Sequence, residues 1–138
     1  MVGLDTNVLA RYYVDDAADK EATRQRIAAK RLIESGRALM VATTVLLEFE
    51  WMLRGYYEFS RTQIAAAFAH LLALPHVSIQ NAVAVRAALV AYSEGFDFVD
   101  ALHHASYADC ESVATFDDKG FARKANKRAM LPRVTVPR

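Results

Sequence analysis

The sequence contains few of the residues that cross-link or break a chain. Among 138 residues it has one cysteine, Cys110, five glycines and three prolines. A single cysteine excludes an internal disulfide framework or a cage of thiolate metal ligands, and it fits a reducing compartment. No apolar run approaches the ~18 residues of a membrane-spanning helix, and the first residues do not resemble a signal peptide. We therefore expect a cytoplasmic protein that has no membrane partner.

The composition is that of a globular protein. Hydrophobic residues make up 54% of the chain and charged residues 24%, which excludes disorder and low-complexity repeats. A chain of this length buries roughly two-thirds of the surface that it exposes when unfolded, so it needs no disulfide or structural metal. Since no linker interrupts the sequence, we predict a single domain that spans residues 1–138.

The charge is distributed unevenly along the chain. Residues 119–138 carry seven basic side chains and no acidic one, whereas the first 118 residues carry the other 10 basic residues and all 16 acidic ones. An acidic body with a basic end is expected of a protein that binds cations at one place and phosphates at another. A solvated basic helix, stabilised by its dipole, explains the basic end equally well.

Short apolar runs alternate with amphipathic helical patterns. Strands are predicted at residues 2–4, 39–42, 77–79, 112–116 and 134–136. The predicted helix signals between them are caps at Asp5, Thr43-Thr44, Asn81, Asp97 and Asp117, a helix start at Asp15, Asp16 or Asp19, a capping box from Ser60 to Gln63, and stops at Ser35-Gly36, Pro75 and Gly95. This alternation predicts an α/β fold with three α/β/α layers and a mainly parallel central sheet of four or five strands.

Four acidic residues fall where such a fold binds its ligands, near the carboxyl ends of the strands. Asp5 and Asp117 follow predicted strands, Glu48 lies early in the helix after the second strand, and Asp100 lies in the first turn of another helix. Carboxylates that meet repel one another, and a divalent cation removes that conflict. Oxygen ligands without cysteine or a histidine pair favour Mg²⁺ or Mn²⁺ over Zn²⁺.

Each acid also has a purely structural interpretation. Asp5 and Asp117 suit helix caps, and Asp97 and Asp100 have the spacing of a cap and its partner. Glu48 is less easily explained because its helical neighbours are mostly apolar, whereas Glu50 is placed to form a solvated surface pair with Arg54.

Four segments resemble the motifs of PIN-domain ribonucleases, in the right order over nearly the whole chain. They are Val2-Gly3-Leu4-Asp5-Thr6-Asn7-Val8-Leu9, Leu46-Leu47-Glu48-Phe49-Glu50-Trp51-Met52-Leu53, Phe96-Asp97-Phe98-Val99-Asp100-Ala101-Leu102 and Val113-Ala114-Thr115-Phe116-Asp117. They look most like the VapC-type toxins of toxin–antitoxin systems. The resemblance implies a PIN-like α/β/α fold, a Mg²⁺- or Mn²⁺-dependent endoribonuclease that hydrolyses RNA, a homodimer, and inhibition by a VapB-type antitoxin.

The resemblance also implies roles for particular residues. The catalytic and metal-binding acids of the family fall on Asp5, Glu48, Asp100 and Asp117. The supporting residues near them are Thr6, Asn7, Asp97, Thr115 and Asp118, and Asp118 is an alternative to Asp117 as the fourth acid.

The other candidates are weaker. A basic strip of Arg123, Lys124, Lys127 and Arg128 follows the fourth motif and suits contacts with an RNA backbone or with the antitoxin. His103 and His104 suit a helix surface or a dimer interface better than a role in catalysis. Trp51 and the pair Tyr56-Tyr57 suit the core or an interface better than the stacking of bases.

Two other functions compete with the nuclease. An aspartyl-phosphate phosphotransferase or phosphatase also places an aspartate after its first strand, but here Thr6-Asn7 lacks the second acid of an Asp-x-Asp signature. A catalytically idle PIN-like interaction module would keep the fold without the chemistry.

Overall fold

The computed structural model describes all residues from 1 to 138. The chain forms two compact units, Met1–Ala82 and Val83–Arg138. Five short strands alternate with seven α-helices and two π-helical segments, and every strand pair is parallel. None of the helices is both long enough and apolar enough to cross a membrane. The predicted α/β fold with parallel strands is therefore confirmed.

The first unit is built on a three-stranded parallel sheet, in which the strands Val2–Leu4, Leu39–Val41 and Val77–Ile79 lie side by side in chain order. Its register places Leu4 opposite Val41, and Val41 opposite Ile79. The elements in chain order are β1 (Val2–Leu4), α1 (Thr6–Tyr13), α2 (Lys20–Ile33), β2 (Leu39–Val41), α3 (Thr43–Trp51), the π-helical segment π1 (Met52–Tyr56), α4 (Arg61–Ala73) and β3 (Val77–Ile79).

Aromatic and branched side chains fill the core of the first unit. Phe49 on α3 is fully buried, and its ring stacks on that of Phe68 on α4 with 5.5 Å between the centroids. On β2, Leu39 and Val41 are buried while Met40 between them is exposed, as the period of two along a strand requires. Burial of each such side chain contributes about 1.5–3 kcal/mol to the stability of the unit.

The helix signals of the first unit are partly confirmed. Ser60 and Gln63 form the predicted capping box, and Gly36 follows α2 with a φ of 78°. The predicted cap at Thr43-Thr44 is wrong, because Thr43 is itself the first residue of α3. The Thr43 N–H instead donates to the side-chain Oε1 of Gln80, 37 residues along the chain, at 2.8 Å. A cap so distant leaves no local signal in the sequence.

The second unit contains a two-stranded parallel sheet in which Val113 lies opposite Val134. Buried Tyr92 and Phe98 meet edge to face in its core, with 5.8 Å between the ring centroids. The elements are α5 (Ala82–Ser93), which starts at the boundary, α6 (Phe98–Ser106), β4 (Ser112–Ala114), the π-helical segment π2 (Asp118–Ala122), α7 (Arg123–Lys127) and β5 (Arg133–Thr135).

The strands differ from the prediction in length and in grouping. All five exist, but their hydrogen bonds form one sheet of three strands and one of two. Strand β4 ends at Ala114 rather than at residue 116. The reason lies in the next residues, because the Asp117 N–H donates to the Thr115 hydroxyl at 3.1 Å. That bond turns the chain out of the strand.

Candidate active site

Three carboxylates of the second unit line a cavity of about 450 Å³, which we call the acidic cavity: Asp97, Asp100 and Asp117. Asp97 caps α6, where its Oδ2 accepts a hydrogen bond from the Asp100 N–H at 3.1 Å. Asp117 precedes π2, where its Oδ1 accepts from the Gly120 N–H at 3.0 Å. The predicted capping roles are therefore confirmed, and the same caps bring these acids to one cavity.

The negative charges in the acidic cavity affect the carboxyl group of Asp100. Partial burial raises the pKa of its carboxyl above the ordinary 3.8, and the negative charges of Asp97 and Asp117 raise this pKa further, while His103 lowers it. The ionised form of Asp100 is thus destabilised by its surroundings. A cation in the cavity would relieve this repulsion.

The raised pKa gives a pH-dependent prediction for the metal-free protein. A carboxyl whose pKa is raised by folding contributes stability below its unfolded pKa, and this contribution is lost as the pH rises through its folded pKa. Asp100→Asn removes the titrating group. We therefore expect the stability of Asp100→Asn, relative to the wild type, to increase from about pH 3 to about pH 7. Urea unfolding of both proteins in EDTA measures the difference, and a constant difference would contradict the expectation.

Sequence reasoning missed Gly120, which gives the Asp117 carboxylate its place. A Cβ atom at residue 120 would lie 2.5 Å from Oδ1 and 2.8 Å from Oδ2 of Asp117, a distance that no side chain tolerates. Only glycine allows the carboxylate to lie over this turn. The signal in the sequence is the spacing of an aspartate and a glycine three residues later, which the capping interpretation of Asp117 did not include.

The three carboxylates that line the acidic cavity are the candidate oxygen donors for a metal ion. No group of three or more His, Cys, Asp or Glu side chains is placed to hold a metal ion in the structure. Asp97 and Asp117 each direct a carboxylate oxygen to a backbone N–H. The donor chemistry fits Mg²⁺ or Mn²⁺, because these hard cations use carboxylate oxygens as ligands.

The other two predicted acids belong to the first unit. Asp5 is exposed and caps α1, where its Oδ1 accepts from the Thr6 N–H at 2.9 Å. Glu48 is exposed on α3, and α1 packs against α3. Of the supporting residues, Thr6 is buried and Asn7 is exposed.

The prediction of a solvated pair between Glu50 and Arg54 is wrong. The pair exists, with Arg54 Nε donating to Glu50 Oε2 at 2.9 Å, but only 1% of Glu50 is exposed. Leu46, Glu50 and Leu53 share one face of the helical stretch formed by α3 and π1, and all three are buried. Glu48 lies off this face, which explains why it is exposed despite its apolar neighbours.

Several predictions for the histidine and aromatic residues are also wrong. His104 is buried, and its Nε2 donates to the Pro132 carbonyl at 2.7 Å, so its assignment to a surface is wrong, whereas His103 is exposed. Trp51 at the end of α3 and Tyr56 at the end of π1 are exposed at 58% and 71%. A core role for these two residues is therefore wrong.

The basic strip separates into two groups. Lys124 Nζ donates to the Gly95 carbonyl at 2.6 Å and lies 4.6 Å from the centre of the Phe96 ring, and Arg128 forms an ion pair with Glu94. These two side chains fasten α7 to the end of α5. Arg123 and Lys127 are exposed and line the acidic cavity, together with Lys119 and Lys124.

Asp117 and Asp118, the two alternatives for the fourth acid, differ in position. Asp117 lines the acidic cavity, whereas Asp118 begins π2 and is absent from the cavity lining. Thr115 fixes the backbone of Asp117 through its hydroxyl.

Comparison with known protein families identifies the family of the chain. The family model of the PIN domain matches residues 2–127 of the 138. No curated protein matches the chain in sequence. The matched range contains all four motifs and both compact units, apart from the first residue and the last eleven. The chain therefore belongs to the PIN-domain family.

Proposed function

We propose that the protein is a Mg²⁺- or Mn²⁺-dependent endoribonuclease, the toxin component of a VapBC-like toxin–antitoxin system. Proteins of the PIN family are generally nucleases. The observation that carries the proposal is the acidic cavity, where three carboxylates and several cationic side chains line the same space. Carboxylates suit the binding of a divalent cation, and adjacent lysines and arginines suit the phosphates of a nucleic acid.

The proposed metal ligands are the acids of the four sequence motifs. Asp100 and Asp117 would hold the cation, with Asp97 as an outer acid. The resemblance in sequence adds Asp5 and Glu48 as ligands, with Thr6, Asn7, Thr115 and Asp118 as supporting residues.

We expect the residues that line the acidic cavity to have different roles in the reaction. Lys119, Arg123 and Lys127 would bind the phosphates of the RNA backbone and hold the scissile bond near the acids. Two hydrogen bonds position Asp117: the Gly120 N–H donates to the Asp117 carboxylate, and the Asp117 N–H donates to the Thr115 hydroxyl. A divalent cation, when bound, supplies a lowered pKa for water and offsets negative charge on the phosphoryl group.

A cleavage assay with a metal titration tests this function. Purified protein, incubated with RNA, is expected to cut internal phosphodiester bonds when Mg²⁺ or Mn²⁺ is added and to be inactive in EDTA. Equal cleavage in EDTA would reject the role of the metal. Absence of cleavage with either cation would leave the idle interaction module as the better description.

Gly120→Ala tests the positioning of Asp117. The new methyl group displaces the carboxylate, so we expect the Mg²⁺ concentration for half-maximal cleavage to rise about 10- to 100-fold, the range seen when the support of a metal ligand is lost. Gly3→Ala is the matched control, because a Cβ atom at residue 3 meets nothing within 4 Å. If the Mg²⁺ dependence of cleavage is unchanged in Gly120→Ala, the position of the Asp117 carboxylate beside residue 120 is not required for metal binding.

The proposed partners are RNA, a VapB-type antitoxin and a second copy of the chain in the cytoplasm. The exposed Trp51 and Tyr56 support an interface on the first unit, because large aromatic side chains are enriched where proteins associate.

A further inference from the structure

A second cavity of about 250 Å³ adjoins the acidic cavity in the second unit. Asp100 and Phe121 line both cavities and so form a shared wall. Other side chains around the second cavity are His103, Tyr107 and Thr115. Any group bound there would lie beside the proposed catalytic acid.

Charge differs sharply between the two cavities. Lysine and arginine side chains line the acidic cavity, whereas no lysine or arginine lines the second cavity. A phosphate in the second cavity would face the Asp100 carboxylate without a strong cation to offset the repulsion. The second cavity therefore suits a neutral group that has a flat apolar face and polar edges.

The wall of the second cavity is held firmly. The Phe121 ring packs edgewise against Phe96 and His104, with centroid distances of 6.0 and 5.8 Å. The hydrogen bond from His104 to the Pro132 carbonyl fixes the imidazole behind it. Tyr107 directly follows α6, where its N–H donates to the His104 carbonyl at 3.1 Å, and the residue is 49% exposed. An aromatic ring is thus already placed to contact a ligand.

We infer that the second cavity binds the nucleobase next to the scissile phosphate. This inference rests on the proposed function and names the part of the RNA that the second cavity recognises. The Tyr107 ring contacts the face of the base, and the Thr115 hydroxyl and the His103 imidazole contact its polar edge. Sites for drug-sized ligands have volumes of about 300–1,000 Å³. The second cavity is slightly smaller than this range, so its size suits a single ring system. A base can enter only when it is unpaired.

Binding of short RNAs in EDTA tests this assignment without cleavage. The probes are fluorescent single-stranded hexamers of each base and a hexamer that carries abasic sugars at every position, measured by anisotropy at low salt. The wild type is expected to bind at least one of the hexamers that carry bases more tightly than the abasic one. Tyr107→Ala is expected to lose about 5- to 150-fold in affinity for that hexamer, the range that one stacked base contributes, and to bind the abasic one unchanged.

Two further variants give matched controls. Tyr107→Phe keeps the ring and is expected to bind like the wild type. Lys127→Ala is expected to weaken binding of the base-containing and abasic hexamers equally and to reduce the salt dependence, because it removes a phosphate contact. His103→Ala, at an exposed helical position, is expected to reduce the differences between the four bases, and it tests the inference even where Tyr107→Ala fails to fold.

Several results would overturn the inference. The inference is wrong if a folded Tyr107→Ala protein binds base-containing RNA like the wild type. It is also wrong if this variant loses equal affinity for the base-containing and the abasic hexamers, or if the wild type does not distinguish these two kinds of hexamer. Preserved differences between the bases in His103→Ala would also count against it. Base-dependent binding without metal-dependent cleavage would instead reject the proposed function and leave this cavity as a binding site.

Discussion

Asp100→Asn is expected to reduce the rate of RNA cleavage in Mg²⁺ by about 100- to 1,000-fold, which is typical when one preorganised electrostatic contact with the transition state is lost. Asp100 lines the acidic cavity together with two other carboxylates, and it also lines the second cavity. The substitution removes a proposed cation ligand and preserves the shape of the side chain. Single-turnover cleavage of a labelled RNA measures the loss.

The loss of cleavage in Asp100→Asn must not result from unfolding. The substitution relieves repulsion from Asp97 and Asp117, so the melting temperature of the metal-free variant is expected to equal or exceed that of the wild type. Asp109→Asn is the matched control, because Asp109 is exposed and lines neither cavity. A folded Asp100→Asn protein that cleaves at the wild-type rate would remove Asp100 from the site.

Phe49→Ala is expected to lower the free energy of unfolding by about 3–5 kcal/mol. The Phe49 ring is fully buried and contacts Phe68 and Tyr13, with centroid distances of 5.5 and 5.7 Å. Its loss leaves a cavity where α1, α3 and α4 meet. Urea unfolding followed by circular dichroism measures the change, and one cooperative transition in the wild type is the result that a single domain predicts.

Trp51→Ala is the control for Phe49→Ala. Trp51 lies on the same helix and is larger, but it is 58% exposed. We expect a change within about 1 kcal/mol, as is usual for surface positions. Equal losses in the two variants would contradict the burial pattern of α3.

Local patterns in the sequence predicted much of the fold. Ser60 with Gln63 marked the start of α4, and Gly95, which has a φ of 100°, marked the end of α5. Such signals act within a few residues and are therefore visible in the chain itself. The apolar runs likewise predicted all five strands, because strand residues such as Leu39 and Val41 are buried in the core.

Contacts between distant residues could not be predicted in this way. The cap of α3 comes from Gln80, and the burial of His104 depends on the Pro132 carbonyl 28 residues away. The burial of Glu50 depends on which face of α3 turns inward, and helical spacing alone leaves that choice open.

The candidate site was predicted in part. The acids of the second unit were found because caps and motifs coincide at Asp97, Asp100 and Asp117. The sequence could not show that Gly120 lies beneath the Asp117 carboxylate, since that contact follows from the path of π2. Asp5, Glu48 and the single domain stay predictions, as do the antitoxin and the homodimer.

Thermal melting with and without Mg²⁺ tests most directly whether the acids bind a dication. A cation that binds only the native protein at tenfold excess over its Kd adds about 1.4 kcal/mol, or a rise of several degrees in Tm. We expect this rise in the wild type and a much smaller one in Asp100→Asn. An unchanged Tm in the wild type, or an equal rise in both proteins, would contradict a metal site at Asp100.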